Sequence, residues 1–186
     1  MKTRFHAGAL VCSRFAVAVL PALNRSPLVV LNPGLGESIE FVTTVDGTDG
    51  GPLAINSAGQ LWFGDENYTN TVKGYTSSGQ PVGARFSISS YTPNALAFDT
   101  SGRLWLGGTN TVAAYNTSTG ALIGGTTITD ACLATVAAIR FDPSGNILVL
   151  NGAANMCVYS SAGALQATIA FPTITSSYVD DMAISP

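Results

Sequence analysis

A repeat of 43 residues constrains the fold of this chain more than any other feature of its sequence. Three segments, 53–63, 96–106 and 139–149, align so that an Asn or Asp opens a turn and a Gly closes it. Asp and Asn cap such turns and Gly takes their left-handed position, so the same hairpin is expected in each copy. The turns open at Asn56, Asp99 and Asp142 and close at Gly59, Gly102 and Gly145.

Each copy contains four short apolar segments, which we call strands a to d. In the second copy they cover 94–98, 103–107, 111–116 and 121–128, and helical periodicity is absent from the sequence. Four antiparallel strands in one repeat of this length are typical of a β-propeller blade. The runs are apolar on both faces because neighbouring blades cover both faces. We therefore predict an all-β fold, a β-propeller of four-stranded antiparallel blades.

The repeat predicts an incomplete or small ring over 26–186. We expect part of a blade over 26–48 and a final strand over 181–185. Three interpretations are open. The chain is a truncated reading frame, or it pairs with another copy that covers its open blades. Alternatively, it closes as a four-bladed ring through the strand 181–185. Soluble monomers rarely leave large apolar faces uncovered, so self-association is expected. The three complete blades are predicted over 52–90, 94–129 and 137–171.

Residues 1–25 have two interpretations. A basic start followed by the apolar run 15–23 resembles a secretory signal peptide. Alternatively, the segment is a degenerate copy of the repeat, since 10–13 falls in the 43-residue register with 53–56. The apolar run is too short to span a bilayer, so no membrane span is predicted.

Composition narrows the class of partner and the compartment. Charged residues make up only 10% of the chain and the net charge is −3. Without a basic stripe, nucleic-acid binding is not expected. Low charge and abundant Ser and Thr favour an extracellular or periplasmic protein. There Cys132 and Cys157, both at one end of the blades, are a candidate disulfide, with two inert buried thiols as the alternative.

Polar side chains gather at the end of the blades formed by the d–a connections and b–c loops, which we call the connection end. Converging carboxylates and amides there could bind polar ligand groups or a hard cation such as calcium, although solvated loops are the simpler interpretation. Arg140 stands where other copies have Ala54 and Ala97. It is interpreted as an anion ligand or as the partner of a nearby acid. The candidate ligand-binding residues are Asp65, Glu66, Asn67, Asn110, Asp130, Arg140, Asn151 and Asp180.

The motif apolar-Ala-Phe-Asp-x-x-Gly-x-Leu-Trp over 96–105, followed by Asn-Thr-Val and a Tyr-to-Gly turn, resembles NHL-type repeats. It is most similar in style to secreted bacterial propellers related to streptogramin (virginiamycin B) lyase. That resemblance implies a histidine base with magnesium, and lactonase-type propellers imply a calcium site. His6, the only histidine, lies outside the repeats, so no catalytic residue is predicted.

The function expected from the sequence is a non-catalytic, exported propeller that binds an unidentified ligand or protein. No cofactor is expected, and calcium is the ion that the candidate ligands would favour. The alternative is a metal-dependent lyase or lactonase-like enzyme whose further blades carry the catalytic residues. Blade architecture alone does not decide between these functions.

Overall fold

The computed structural model describes the backbone of four strands within the first 50 residues, and residues 51–65, 70–88, 92–152, 155–171 and 182. For the strands of the first 50 residues, and for Asp65, only the backbone is described. Within these ranges no helix is long and apolar enough to cross a membrane.

The described strands form four antiparallel sheets of four strands, each strand hydrogen-bonded to the next in chain order. This is the arrangement of propeller blades, and it confirms the predicted fold class. The first strand of each sheet is the inner one. In the last three sheets, each inner strand contacts the inner strand of the neighbouring sheet, as expected for blades that lie side by side. The strands are Leu10–Cys12, Phe15–Val19, Leu28–Leu31 and Ser38–Phe41 (β1–β4), Leu53–Ile55, Leu61–Asp65, Thr71–Tyr75 and Pro81–Ser87 (β5–β8), Ala95–Phe98, Leu104–Gly107, Thr111–Tyr115 and Ile128–Thr129 (β9–β12), and Val136–Phe141, Ile147–Asn151, Asn155–Tyr159 and Leu165–Ala170 (β13–β16).

The a–b turns form for the reason that the sequence indicates. Asn56 Oδ1 accepts hydrogen bonds from the backbone N–H groups of Ala58 and Gln60, at 3.0 and 2.9 Å. Gly59 then closes the turn with φ of 73°, where a residue with a Cβ would be strained. Asp99 and Asp142 open their turns in the same way. The capping side chain therefore fixes where strand a ends and strand b begins.

Two apolar clusters hold the sheets together. Between the second and third sheets Trp62 is buried and packs edge-on against Phe98, with ring centroids 6.4 Å apart. Between the third and fourth sheets Trp105 is buried and packs against Phe141 at 5.8 Å. Each Trp thus contacts the Phe at the end of strand a in the next sheet. Both tryptophans therefore pack between neighbouring blades.

Strand d of the third sheet differs from the prediction. It was expected over 121–128, but only Ile128–Thr129 pairs as a strand, and an isolated bridge joins Leu122 to Tyr115. Between them, Thr126 folds back to donate a hydrogen bond from Oγ1 to the Ile123 carbonyl at 2.7 Å. Gly125 allows this turn because its φ is 76°.

In the first sheet, Leu10–Cys12 occupies the inner position and pairs with Phe15–Val19. The four-bladed alternative gave that position to 181–185, which lies outside the described residues except for Met182. Whether 1–25 acts as a leader stays a prediction.

Candidate functional site

At the connection end, three of the predicted site residues surround a short 3-10 helix, Ala131–Leu133. Asp130 caps this helix, since its Oδ1 accepts a hydrogen bond from the Cys132 N–H at 2.8 Å. The backbone N–H of Asn110 donates to the Leu133 carbonyl at 2.7 Å. Asn110 has φ of 57°, a conformation that Asn tolerates better than most residues.

Asn151 secures the same helix from the fourth sheet. Its side chain is buried, and Nδ2 donates a hydrogen bond to the Cys132 carbonyl at 2.8 Å. Its Oδ1 accepts from the Asn155 N–H at 3.0 Å. A buried amide with both ends bonded stabilises the backbone around it and leaves little capacity for a ligand. Asp130 and Asn151 therefore lie at the connection end, as the repeat predicts, and both form hydrogen bonds with backbone groups there.

A disulfide joins Cys132 to Cys157, with the two Cα atoms 6.3 Å apart. Cys157 lies at the middle of β15, paired with Val149 and Thr168 on either side. The bond therefore ties the connection between two blades to the centre of the second one. Closing a loop of this length stabilises a fold by about 3 kcal/mol.

Arg140 lies on β13, opposite Leu148 on the neighbouring strand. Its Nη1 donates a hydrogen bond to the Ile139 carbonyl at 2.7 Å. Its predicted role as an anion ligand or ion-pair partner stays a prediction. The remaining candidates, Glu66, Asn67 and Asp180, and the side chain of Asp65, lie outside the described residues.

At the opposite end, formed by the a–b and c–d turns, Asp99 organises a polar cluster. Its Oδ2 accepts hydrogen bonds from Arg103 Nε at 2.6 Å and from Trp105 Nε1 at 2.8 Å. Its Oδ1 accepts from the backbone N–H groups of Ser101 and Arg103. The guanidinium lies 5.6 Å from the centre of the Trp105 ring, within reach of a cation–π interaction.

The environment of Asp99 favours its ionised form. Burial alone would raise the pKa of this carboxyl, but the hydrogen bonds from Trp105 and Arg103 outweigh it and lower the pKa below its ordinary value. The Asp99 side chain is 6% exposed and that of Arg103 is 38% exposed. The carboxylate is thus fixed in place, while part of the guanidinium faces solvent.

This cluster lies at an open cleft of about 160 Å³ between the third and fourth sheets. The cleft combines an aromatic floor with hydroxyl groups and one guanidinium. Sequence reasoning missed it because Asp99 was interpreted only as a turn cap. The available signal was Arg103, which stands where the other copies have Gln60 and Asn146. The cleft is lined by Asp99, Thr100, Ser101, Arg103, Trp105, Phe141, Gly145, Ile147 and Ser161.

The described residues do not gather a metal site. Across the part of the chain with described side chains, three His, Cys, Asp or Glu side chains nowhere come together as metal ligands. What the cleft offers instead is hydrogen-bond donors beside a fixed carboxylate. The guanidinium and the hydroxyl groups are able to donate hydrogen bonds to polar oxygen atoms.

The sequence matches no protein-family model and no curated protein. The fold of this chain is similar to that of several solved structures. A catalytically inactive virginiamycin B lyase from Staphylococcus aureus with quinupristin superposes with a TM-score of 0.64 at 15% identity, over 92% of this chain and 57% of that one. A streptogramin B lyase gives 0.61 at 14% identity, over 89% and 54%. A protein of unknown function from Bacteroides caccae gives 0.56 at 16% identity, over 85% and 58%.

Sequence identities this low show a shared fold and nothing more. The chain spans little more than half the length of these structures. The likeness agrees with the strand order and with the packing of consecutive sheets described above. The chain therefore has the β-propeller fold seen in the virginiamycin B lyases.

Proposed function

We propose that this chain is a non-catalytic β-propeller that binds a ligand or a protein partner and acts outside the cytoplasm. The observation that supports the non-catalytic proposal most is that the described carboxylates are engaged by backbone groups. Among residues with described side chains, the acids are Asp99, Asp130 and Asp142, and each accepts hydrogen bonds from backbone N–H groups. A proton-transfer residue works best with a pKa near the working pH. Hydrogen bonds instead hold the pKa of Asp99 and of Asp142 below the ordinary value.

The cleft beside Arg103 is the binding site that this proposal favours. Asp99 fixes the guanidinium through Nε, so its remaining N–H groups can meet a ligand at little cost in side-chain entropy. The hydroxyls of Ser101 and Ser161 lie in the same lining. A small molecule with a carboxylate and further hydroxyl groups fits these donors, since guanidinium binds carboxylate through paired hydrogen bonds.

Thermal shift and calorimetry with a panel of hydroxy acids and sugar acids test this site. We expect binding to the unaltered chain, and a loss of affinity of at least about tenfold in Arg103→Gln, because one charge-assisted hydrogen bond is worth about 1.5–3 kcal/mol. Arg85→Gln is the matched control, because Arg85 is an exposed arginine on β8, away from the cleft. Equal affinity in Arg103→Gln, or no binding of any panel member, would contradict the assignment.

The absence of catalysis is tested separately with quinupristin, the compound present in one of the similar structures. We expect its concentration, followed by liquid chromatography, to stay constant with the chain, Mg²⁺ and Ca²⁺. Consumption that depends on the protein would overturn the non-catalytic proposal.

A second candidate is a metal-dependent lyase or lactonase-like enzyme. The likeness to virginiamycin B lyases favours it, and further blades could supply a histidine because the chain spans 57% of such a structure. The described candidates for calcium do not fit that ion well, because Asp130 and Asn151 already bond the backbone. A metal at about 100 times its Kd would stabilise the chain by about 2.7 kcal/mol. The scaffold proposal expects no such shift with Ca²⁺ or Mg²⁺.

Export is supported by the disulfide between Cys132 and Cys157, because such bonds persist in oxidising compartments. Counting free thiols by mass spectrometry tests it. Chain recovered from its native compartment is expected to carry these two cysteines oxidised. Full alkylation of both without prior reduction would contradict export.

A further inference from the structure

The cleft at Arg103 opens between the third and fourth sheets, whereas β8 covers the equivalent position between the second and third sheets. There β8 runs along the turn that joins strands c and d of the third sheet, and the Ala84 N–H donates a hydrogen bond to the Thr117 carbonyl at 2.8 Å. Gly83 lies so close to the same carbonyl and to the Trp62 ring that an added Cβ would overlap both. The outer strand of the second sheet therefore packs over the Trp62 ring.

Between the third and fourth sheets this cover is missing. Strand d of the third sheet begins only at Ile128, and a Cβ added at Gly124 or Gly125 in the turn before it would meet nothing within 4 Å. Ser161 takes the position of Thr117 in the next c–d turn. Among the described residues, the backbone hydrogen bond that Thr117 accepts has no counterpart at Ser161. The short strand d thus leaves the cleft accessible from the outer side of the sheets.

The apolar part of the cleft lining offers one accessible ring. Trp105 and Ile147 are 2% and 1% exposed, so the core already covers their surfaces. Phe141 is half-buried, and its ring is tilted by 59° from that of Trp105. Gly145 also lines the cleft and contributes no side chain. An apolar group that enters the cleft therefore meets the Phe141 ring, and burial of both surfaces stabilises the contact.

A single small ligand can reach both the guanidinium and the Phe141 ring. The guanidinium carbon of Arg103 lies 5.6 Å from the centre of the Trp105 ring, and the centre of the Phe141 ring lies 5.8 Å from it. Both groups thus border the same indole. Ser101 and Ser161 add exposed hydroxyl groups to the lining. The cleft therefore offers a cation, hydroxyl groups and an apolar ring to one molecule.

We propose that the cleft selects hydroxy acids that carry an apolar side group, with the carboxylate bound by Arg103 and the side group packed on Phe141. This inference rests on the binding function proposed above and narrows its ligand class. Sugar acids carry hydroxyl groups along the whole molecule. They would place polar groups against the Phe141 ring, where those groups lose hydrogen bonds to water without gaining new ones.

Calorimetry with phenyllactate, lactate and gluconate tests this selectivity, with ligand-observed NMR for weak binding. Lactate differs from phenyllactate only by lacking the phenyl group. We expect phenyllactate to bind at least about tenfold more tightly than either of the other two, because its ring buries apolar area and packs on another ring. Gluconate carries the same carboxylate and more hydroxyl groups, so it separates the two ligand classes.

Phe141→Ala is expected to remove most of the preference for phenyllactate and to leave the affinity for lactate unchanged. A variant that merely loosened the cleft would weaken both ligands equally, so the ratio of the two affinities reports on the ring contact. Phe98→Ala is the matched control, because Phe98 packs on Trp62 at the equivalent position between the second and third sheets. It is expected to leave the preference intact.

Circular dichroism and unfolding temperature establish that each variant is folded, and Phe141→Leu replaces Phe141→Ala if the latter does not fold. A preference that persists without the Phe141 ring would overturn its role. Lactate or gluconate binding to the unaltered chain as tightly as phenyllactate would overturn the narrower ligand class and leave binding at Arg103 intact. If none of the three compounds binds, the cleft is not a binding site, and the proposed function at Arg103 fails together with this inference.

Discussion

Two buried polar atoms among the described side chains have no hydrogen-bond partner, Trp62 Nε1 and the Tyr159 hydroxyl. The indole of Trp62 lies against Gly74, where an added Cβ would come within 2.5 Å of the ring. In the next copy Ala114 pairs with Trp105 at the corresponding position, and that indole donates to Asp99. The same residue type at the same repeat position is thus satisfied in one copy and left without a partner in another.

Tyr159→Phe is expected to stabilise the chain by about 1–2 kcal/mol, because a buried hydroxyl without a partner costs about 1–3 kcal/mol. Tyr159 is 1% exposed and packs in the cluster between the third and fourth sheets. Urea denaturation at pH 7 measures the change. An unaltered or lowered midpoint would mean that the hydroxyl has a partner, such as a buried water.

The same variant carries a prediction for alkaline pH. Burial, assisted by the charge of Asp130, raises the pKa of Tyr159 to about 12. The unfolded chain ionises this group near pH 10, so the folded state binds the proton more tightly. Stability from this group is complete below pH 10 and is lost as the pH rises toward 12. We expect the advantage of Tyr159→Phe to grow between pH 10 and 12, and parallel pH profiles would contradict this.

Asp99→Asn is expected to destabilise the chain by about 1.5–3 kcal/mol at pH 7, because the charged acceptor of Arg103 and Trp105 is lost. The pKa of Asp99 is lowered in the fold. The ionised Asp99 side chain therefore stabilises the fold fully above the pKa of the unfolded chain, which is near 4. This stabilisation is lost as the pH falls through the lower pKa of the folded chain. Denaturation of variant and unaltered chain is expected to converge in acid.

Asp142→Asn is the control, because Asp142 opens the equivalent turn but bonds Asn146, a neutral partner. The half-buried carboxylate of Asp142 is expected to contribute less to stability than that of Asp99. Equal losses in the two variants would show that the turn cap, and not the contact with Trp105, stabilises the third sheet.

At the scale of elements, the disulfide determines how firmly the connection between the third and fourth sheets is held. The double variant Cys132→Ala with Cys157→Ala is expected to lose about 3 kcal/mol, the value for a loop of this length. Guanidinium denaturation with and without a reducing agent measures the same difference in the unaltered chain. The double variant is expected not to respond to the reducing agent, and an equal response in both would contradict the role of this bond.

The turns that join strands a and b could be predicted from sequence because their chemistry is local. Asn56, Asp99 and Asp142 bond backbone groups within four residues, so spacing alone identifies them. Strand d of the third sheet could not be predicted in the same way. Gly124 and Gly125 fit either a strand or a turn, and the hydrogen bond of Thr126 to the Ile123 carbonyl decides for the turn.

At the scale of the molecule, the 43-residue register predicted the blades because each blade buries its faces against copies of itself. The candidate site was predicted less well. The register placed Asp130 and Asn151 at one end correctly, but it contains no information on which atoms they bond. It also missed the second acceptor role of Asp99, because the bond to Trp105 depends on the rotamer of the indole.

Sheets that contact only their neighbours unfold as coupled units, and weakening one interface weakens the coupling there. Ile139 is fully buried between the third and fourth sheets, so Ile139→Ala is expected to lower the free energy of unfolding by about 2–5 kcal/mol.

The two tryptophans report on different interfaces, Trp105 on this one and Trp62 on the one before it. In Ile139→Ala chains that retain a single tryptophan, the other being replaced by Phe, Trp105 fluorescence is expected to change at lower urea than Trp62 fluorescence. The same single-tryptophan chains with Ile139 intact serve as controls, and their two transitions are expected to lie closer together. Coincident transitions in the Ile139→Ala chains would show that the sheets unfold as one unit.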